Sequence, residues 1–298
     1  MPRLAPHPDV SELATLRSER RDVDVLGAST AYWVYGPDDA AVTILAVHGF
    51  RGDHHGLEPV FALLPEIRII APDLPGFGES APLPIAHDLD GYAAWLTAFA
   101  AQVAPGAIVL GHSFGSIVSS AAVARGLPTP RLILVNPIGA PALEGPRGIL
   151  TRLAVFYYAL GARLPRPLGE ALLRNPVVVR VMSIAMAKTK RAPLRRFVHA
   201  QHDAYFSAFA DREVLREAFV TSVSNDVRAH APGIPIPTLL IAADRDDITP
   251  IEAERALAKL FPDARLVEIA GVGHLVHYET PRAAASAIDE FVGEPARR

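Results

Sequence analysis

Gly111-His112-Ser113-Phe114-Gly115 is the stretch that decides how this chain is read. The apolar run Ala107-Ile108-Val109-Leu110 leads into it, and a small-residue run from Ile117 to Ala124 leaves it. Strand, tight turn and helix form the context in which a G-x-S-x-G pentapeptide presents a nucleophile. The serine of such a turn takes a strained backbone angle, and only small residues fit two positions before and after it. Gly111 and Gly115 meet that demand. The Ser113 hydroxyl is thereby lifted off the sheet edge at a helix N-terminus, where free N–H groups favour a developing negative charge. The competing reading is a glycine-flanked helix start with a capping serine.

Working outward, Val23 to Leu26 and Ala31 to Tyr35 read as an antiparallel hairpin turning at Gly27. Val42 to Val47 and Ile67 to Ala71 are continuous apolar runs, as expected of strands buried on both faces. Leu89 to Val103 has apolar residues at helical spacing, and Leu132 to Val135 is a further strand. From about Ile138 to Pro232 the strand rhythm stops. Helices are expected over Leu150 to Leu160, Pro176 to Ala187, Pro193 to Ala210 and Asp211 to Ser222. The alternation then resumes, with strand Thr238 to Ala242, helix Pro250 to Leu260, strand Arg265 to Ile269 and helix Pro281 to Val292. Alternating strands and helices imply an α/β fold with a mostly parallel, doubly wound sheet. The helical block between two of its strands implies an insertion. The expected organisation is a loose segment or short helix over 1–20, a core over 21–137 and 233–293, and a helical cap over 138–232.

The 298 residues are half hydrophobic, enough for a large core, and the formal charge of −3 argues against a general nucleic-acid binder. The absence of cysteine excludes disulfides, a thiol nucleophile and thiolate metal sites. The first 20 residues lack a signal-peptide core, and no long uncharged apolar window suggests a membrane span. A soluble cytoplasmic protein is expected; the chain does not indicate its oligomeric state.

A serine hydroxyl needs a base within hydrogen-bond reach, and the base needs an acid to orient it. In this architecture catalysts collect at the carboxyl ends of the strands. His274, in Ala270-Gly271-Val272-Gly273-His274, follows the last strand and is the candidate base. His277 reads as a partly exposed residue that packs or caps the final helix. The acid lies in Ala243-Asp244-Arg245-Asp246-Asp247-Ile248-Thr249-Pro250. Asp247 and Thr249 suit the cap of the following helix, Asp246 stands mid-loop, and Asp244 competes with it. The oxyanion hole needs two N–H donors. The amide of Phe114 is one candidate, and the amide of Phe50, in His48-Gly49-Phe50-Arg51-Gly52, is the other. His48 reads as hydrogen-bonded within its loop.

Together these residues resemble the α/β-hydrolase superfamily, as a capped serine hydrolase of the esterase or lipase kind, from about Val23 to Val292. His48-Gly49 resembles the family's oxyanion loop. Asp73-Leu74-Pro75-Gly76-Phe77-Gly78-Glu79-Ser80 resembles its structural D-x-P-G-x-G-x-S loop, and Gly111 to Gly115 its nucleophile elbow. Asp246-Asp247-Ile248-Thr249-Pro250 resembles its D-x-[IV]-x-P acid loop, which implies Asp246 rather than Asp244. The serine nucleophile departs from epoxide hydrolases and haloalkane dehalogenases. The loops match neither H-G-G-P nor H-G-G-G, and Ser116 departs from the menaquinone-pathway lyase. The resemblance implies hydrolysis of a carboxylic ester or thioester with an apolar moiety, without a cofactor or metal. Carbon–carbon bond hydrolysis, acyl transfer, perhydrolysis and a non-catalytic ligand receptor remain alternatives.

Residues 138–232 hold 14 Lys and Arg against 7 Asp and Glu. That excess suits plain solvation of helix faces, steering of an anionic substrate or contact with an acidic lipid surface. Phe156, Tyr157, Tyr158, Phe197, Phe206, Phe209, Phe219, Met182 and Met186 are candidates for an apolar pocket, most of them expected to be interhelical core. His199 and His202 read as surface or packing residues, and His54 and His55 as lining an entrance.

Overall fold

The structure, a computed structural model, describes residues 5–140 and 148–294, with side chains described from residue 151 after the gap. Its strands are β1 (Ser18–Val25), β2 (Ala28–Tyr35), β3 (Thr43–Val47), β4 (Arg68–Pro72), β5 (Ile108–His112), β6 (Leu132–Val135), β7 (Thr238–Ala243) and β8 (Ala264–Ile269). They form one sheet in the order β1-β2-β4-β3-β5-β6-β7-β8. β2 pairs antiparallel with both neighbours, and the remaining pairs are parallel. The expected hairpin is present and turns at Gly27, whose φ is +79°.

Alternate residues of each central strand serve opposite layers, which is why these strands read as unbroken apolar runs. Leu45, Val47, Val109 and Leu134 join a cluster with Trp95, Phe99, Ile117 and Ala121. These last four belong to α2 (Leu89–Val103) and α3 (Phe114–Ala124). Ile44, Ala46, Leu110 and Ile133 face the other way, towards α1 (Glu58–Phe61) and α11 (Pro281–Gly293). α9 (Ile251–Ala258) and the single turn α10 (Val276–Glu279) complete the layers.

Among the described residues, five α-helices stand between β6 and β7: α4 (Gly148–Arg163), α5 (Arg166–Leu173), α6 (Pro176–Met186), α7 (Ala192–Tyr205) and α8 (Arg212–Ser224). Four were expected. α5 was missed because its eight residues begin Arg166-Pro167, where proline suits a helix start but reads in sequence as a break. The helix expected over Pro193 to Ala210 stops at Tyr205. Phe209 then makes an isolated β-bridge to Phe77, which fixes this block on the loop after β4. The segment ahead of β1 is held down: His7 is buried, and its Nε2 donates to the Tyr278 carbonyl at 2.8 Å. Among the described residues, no helix is long and apolar enough to cross a membrane.

The sheet and helix layers meet closely where α3 begins. A Cβ on Gly115 would lie 2.3 Å from the Val47 carbonyl oxygen, and one on Gly111 would lie 2.4 Å from the Gly115 oxygen. Both obstacles are backbone and cannot swing away. Gly115→Ala is therefore expected to destabilise the protein by about 2 kcal/mol or more. A denaturant midpoint equal to wild type would show that α3 does not sit this close to β3.

Candidate active site

β5 ends at His112, and the chain reverses at Ser113 with φ 52° and ψ −117°. This left-handed conformation of a non-glycine residue is maintained by its surroundings. The Ser113 N–H donates to the Val135 carbonyl at 3.1 Å, and the Ser116 hydroxyl donates to the Ser113 carbonyl at 2.5 Å. The Ser113 side chain is thereby presented above the C-terminal edge of the sheet.

The loops after β7 and β8 converge on it. His274 Nε2 lies 2.8 Å from Ser113 Oγ, and His274 Nδ1 lies 2.7 Å from Asp246 Oδ2. His274 and Asp246 are both buried. Asp246 Oδ2 also accepts from Asn136 Nδ2 at 3.2 Å, and its Oδ1 accepts the Ile248 amide at 2.7 Å and the Thr249 amide at 3.3 Å. Burial pushes the Asp246 carboxyl up, but the neighbouring His274 and these donors outweigh it, and the net shift is downward. A charged carboxylate there fixes Nδ1 as the protonated ring nitrogen. Nε2 is left to accept from the serine hydroxyl.

The three aspartates of the acid loop have separate tasks. Asp244 Oδ1 accepts the Gly271 amide at 2.7 Å, tying the acid loop to the histidine loop. Asp247 pairs with Lys188. The expectation that Asp247 and Thr249 cap α9 is corrected: Pro250 holds the cap position without a side-chain bond, and Asp246 Oδ1 takes the amides of Ile248 and Thr249 ahead of it.

The loop after β3 passes alongside the elbow. A Cβ on Gly49 would lie 3.2 Å from that of Ser113. His48 Nδ1 donates to the Gly49 carbonyl at 2.8 Å, and its Nε2 accepts the Leu74 amide at 2.8 Å. It therefore braces its own loop, as expected, and also joins it to the loop after β4. Among the described residues, neither the Phe50 nor the Phe114 amide donates to an acceptor. Arg51, at φ 62°, is 1% exposed. Its guanidinium donates to the carbonyls of Phe206 at 2.8 Å and Leu173 at 2.9 Å, and to the Tyr158 hydroxyl at 3.3 Å. It also lies over the rings of Phe206 and Phe209. One buried cation thus joins the β3 loop to α4, the end of α5 and the end of α7. A lone arginine after a glycine loop gives no sign in the sequence of where it points.

A cavity of about 490 Å³ opens over Ser113 between the sheet edge and the helices. Tyr157, Tyr158, Met182, Met186, Phe206 and Phe219 line it, and among the described residues no Lys or Arg does. Most of the nine apolar candidates thus face the cavity rather than lying between helices. Phe197 and Phe209 are core, and Phe156 faces solvent. His277, His54 and His55 differ from expectation, whereas His202 is a packing residue, one of its two expected readings. His277 is buried, with its ring centroid 4.2 Å from that of His112. Burial and the adjacent imidazoles push His277 well below its usual range, and His112 goes down to about 3. His202 is buried and shares the Ser183 hydroxyl with His199. His54 and His55 do not line the cavity. His54 stacks on Trp33 and bonds Asp73, while His55 stacks on Tyr205 and bonds Asp53. Asp53, His54 and His55 have ligand atoms within 4.8 Å of one another, but both Nδ1 atoms are already committed to carboxylates.

A family model described as the alpha/beta hydrolase family matches residues 44–287. The chain is 26% identical over 278 residues to the pimeloyl-(acyl-carrier protein) methyl ester esterase of Xanthomonas axonopodis pv. citri, covering 91% of this chain and 98% of that protein. It is 25% identical to Lipase 3 of Moraxella sp. over 282 residues, covering 89% of this chain and 82% of that one. Among solved structures, the enol-lactonase from Burkholderia xenovorans LB400 superposes with a TM-score of 0.76 at 21% identity, covering 92% of this chain and 100% of its own.

Behind Asp246, the Glu254 side chain is almost fully buried, close to Gly139. Burial, reinforced by repulsion from Asp246, pushes its carboxyl up to about 9. It is thus neutral in the fold at neutral pH. The unfolded chain releases this proton near the ordinary value of 4.5, so stability falls as pH rises from 4.5 to about 9. Glu254→Gln removes that loss. Its melting temperature is expected to exceed wild type by a margin that widens across the same window. A constant margin would mean that Glu254 is ionised in the folded protein.

Proposed function

Since this chain belongs to the alpha/beta hydrolase family, we propose that it is a serine hydrolase of carboxylic esters or thioesters carrying an apolar acyl group. The observation that carries this reading is the continuous relay from Ser113 Oγ through His274 to Asp246, with contacts of 2.8 and 2.7 Å. Ser113 attacks the ester carbonyl while His274 Nε2 takes its proton. The proton then passes to the leaving alcohol or thiol, which departs as the acyl-enzyme forms. Water enters, His274 takes one of its protons, and the acid is released with the serine restored. Asp246 stays ionised, holds the tautomer and offsets the charge on the imidazolium. The amides of Phe50 and Phe114 hold the oxyanion, and their lack of other acceptors among the described residues leaves them available.

His112 and His277 support this assignment of roles. Burial keeps both rings neutral near His274, so neither competes with it as a charged neighbour. The helices α4 to α8 act as the cap, excluding water and selecting the acyl group. Among the described residues the cavity lining has no Lys or Arg to receive a second carboxylate, so an uncharged acyl chain suits it better than a dicarboxylic monoester. The names of the relatives, a methyl ester esterase and a lipase, agree with ester chemistry.

The test is a series of nitrophenyl esters of rising acyl length on wild type and Ser113→Ala. Turnover is expected to favour octanoyl over acetyl ester, and Ser113→Ala should lose about a thousandfold or more in kcat. Equal rates in the two proteins would end the assignment of Ser113 as nucleophile. The acid is tested separately. Asp246→Asn should lower kcat about a thousandfold, whereas Asp244→Asn, which keeps an acceptor for Gly271, should stay within about threefold. The reverse ranking would transfer the acid role to Asp244.

A further inference from the structure

Two helices of the inserted block each turn a stripe of large apolar side chains to solvent. On α4, Leu153, Phe156 and Leu160 recur at three- and four-residue spacing; on α6, Val177, Val181 and Ile184 do the same. They are exposed by between 39% at Leu160 and 69% at Val177. Six large apolar side chains on two helices form more than the single scattered residues of an ordinary surface. Each helix also turns other residues inward: Tyr157 and Tyr158 of α4, and Val178, Met182 and Met186 of α6, line the cavity over Ser113. Leu153 belongs to both the cavity wall and the exposed face.

Charge accompanies these helices along the sequence. Residues 148–200 contain ten Lys and Arg and a single acid, Glu170. Arg166 pairs with Glu170, Arg180 with Asp203, Arg191 with Asp9 and Lys188 with Asp247. Arg152 and Arg163, at either end of the α4 stripe, are exposed and have no carboxylate partner among the described residues. The same holds for Lys190, Arg195 and Arg196 between α6 and the first turn of α7.

We propose that α4 and α6 dock the protein on an anionic lipid surface. The apolar stripes sink into the boundary between headgroups and acyl chains, and the unpaired cations meet the lipid phosphates. Substrate then passes from the bilayer past Leu153 into the cavity without crossing water. Only this last step rests on the proposed ester chemistry; the docking itself does not. An acidic partner protein would account for the cations but leave the apolar stripes unexplained. A second copy would bring two strongly basic faces together. A lipid surface answers both features at once.

The test is sedimentation of the full chain, as Ser113→Ala so that no lipid is consumed. Vesicles of phosphatidylcholine alone are compared with equimolar phosphatidylcholine and phosphatidylglycerol. Binding is expected to the anionic vesicles only and to weaken with salt. Phe156→Ser with Val181→Ser should reduce partitioning about tenfold or more. Arg195→Glu with Arg196→Glu should reduce it at least about tenfold, from roughly fivefold per basic side chain. Both pairs lie outside the cavity, and with Ser113 restored they should hydrolyse a soluble short-chain ester at the wild-type rate. Protein that stays in solution with anionic vesicles overturns the proposal, as does equal binding by either pair of variants. Dimerisation abolished by Phe156→Ser, without vesicle binding, assigns the face to a second copy and also overturns it. Vesicle binding by a protein that hydrolyses no ester would leave docking standing and remove the enzymatic reading instead.

Discussion

The contact between the start of α3 and the end of β3 governs the arrangement of the site. Gly115 meets the carbonyls of Val47 and His48 at a distance no side chain tolerates. This forces the turn at Ser113 into the left-handed region and leaves the Phe114 amide pointing out of the helix end. It also brings the loop holding Phe50 alongside the serine. The position of the hydroxyl, the direction of the N–H groups and the entry to the cavity therefore follow from one backbone-to-backbone packing.

Arg51 sets the second constraint. A buried guanidinium without a carboxylate is costly unless its donors are satisfied. Here two carbonyls and a phenol from three helices meet that need. The helices of the insertion and the loop after β3 are consequently held by the same side chain. A shift of one requires breaking bonds to the other, so opening of the helical block would be felt at the Phe50 amide. The aromatic contacts of Phe50 with Phe77, Tyr158 and Phe219 reinforce this join with apolar packing.

The polar interior is economical in charge. His48, His112, His202 and His277 are buried, and burial lowers the pKa of each. Glu254 is held neutral from the other direction. Asp246 is the carboxylate that faces His274, with four donors directed at its two oxygens.

Local chemistry explains what was legible in the sequence. Continuous apolar runs mark strands covered on both faces. Glycines two positions either side of Ser113 mark a turn without room for Cβ. The order of serine, acid and histidine follows from loops at one edge of a parallel sheet. The limits are equally physical. Helical periodicity says that a face is buried but not against what, so Phe156 and Tyr158 read alike although one meets solvent and the other the core. The burial of His277, the neutrality of Glu254 and the three-way grip of Arg51 arise between segments more than a hundred residues apart. By itself, the sequence determined the sheet, the elbow and the candidate residues, because backbone sterics and apolar patterning act over a few neighbours. Only the tertiary structure decided which side of α4 and α6 meets the cavity and which groups keep their charge, because those outcomes depend on contacts and dielectric surroundings that distant segments create together.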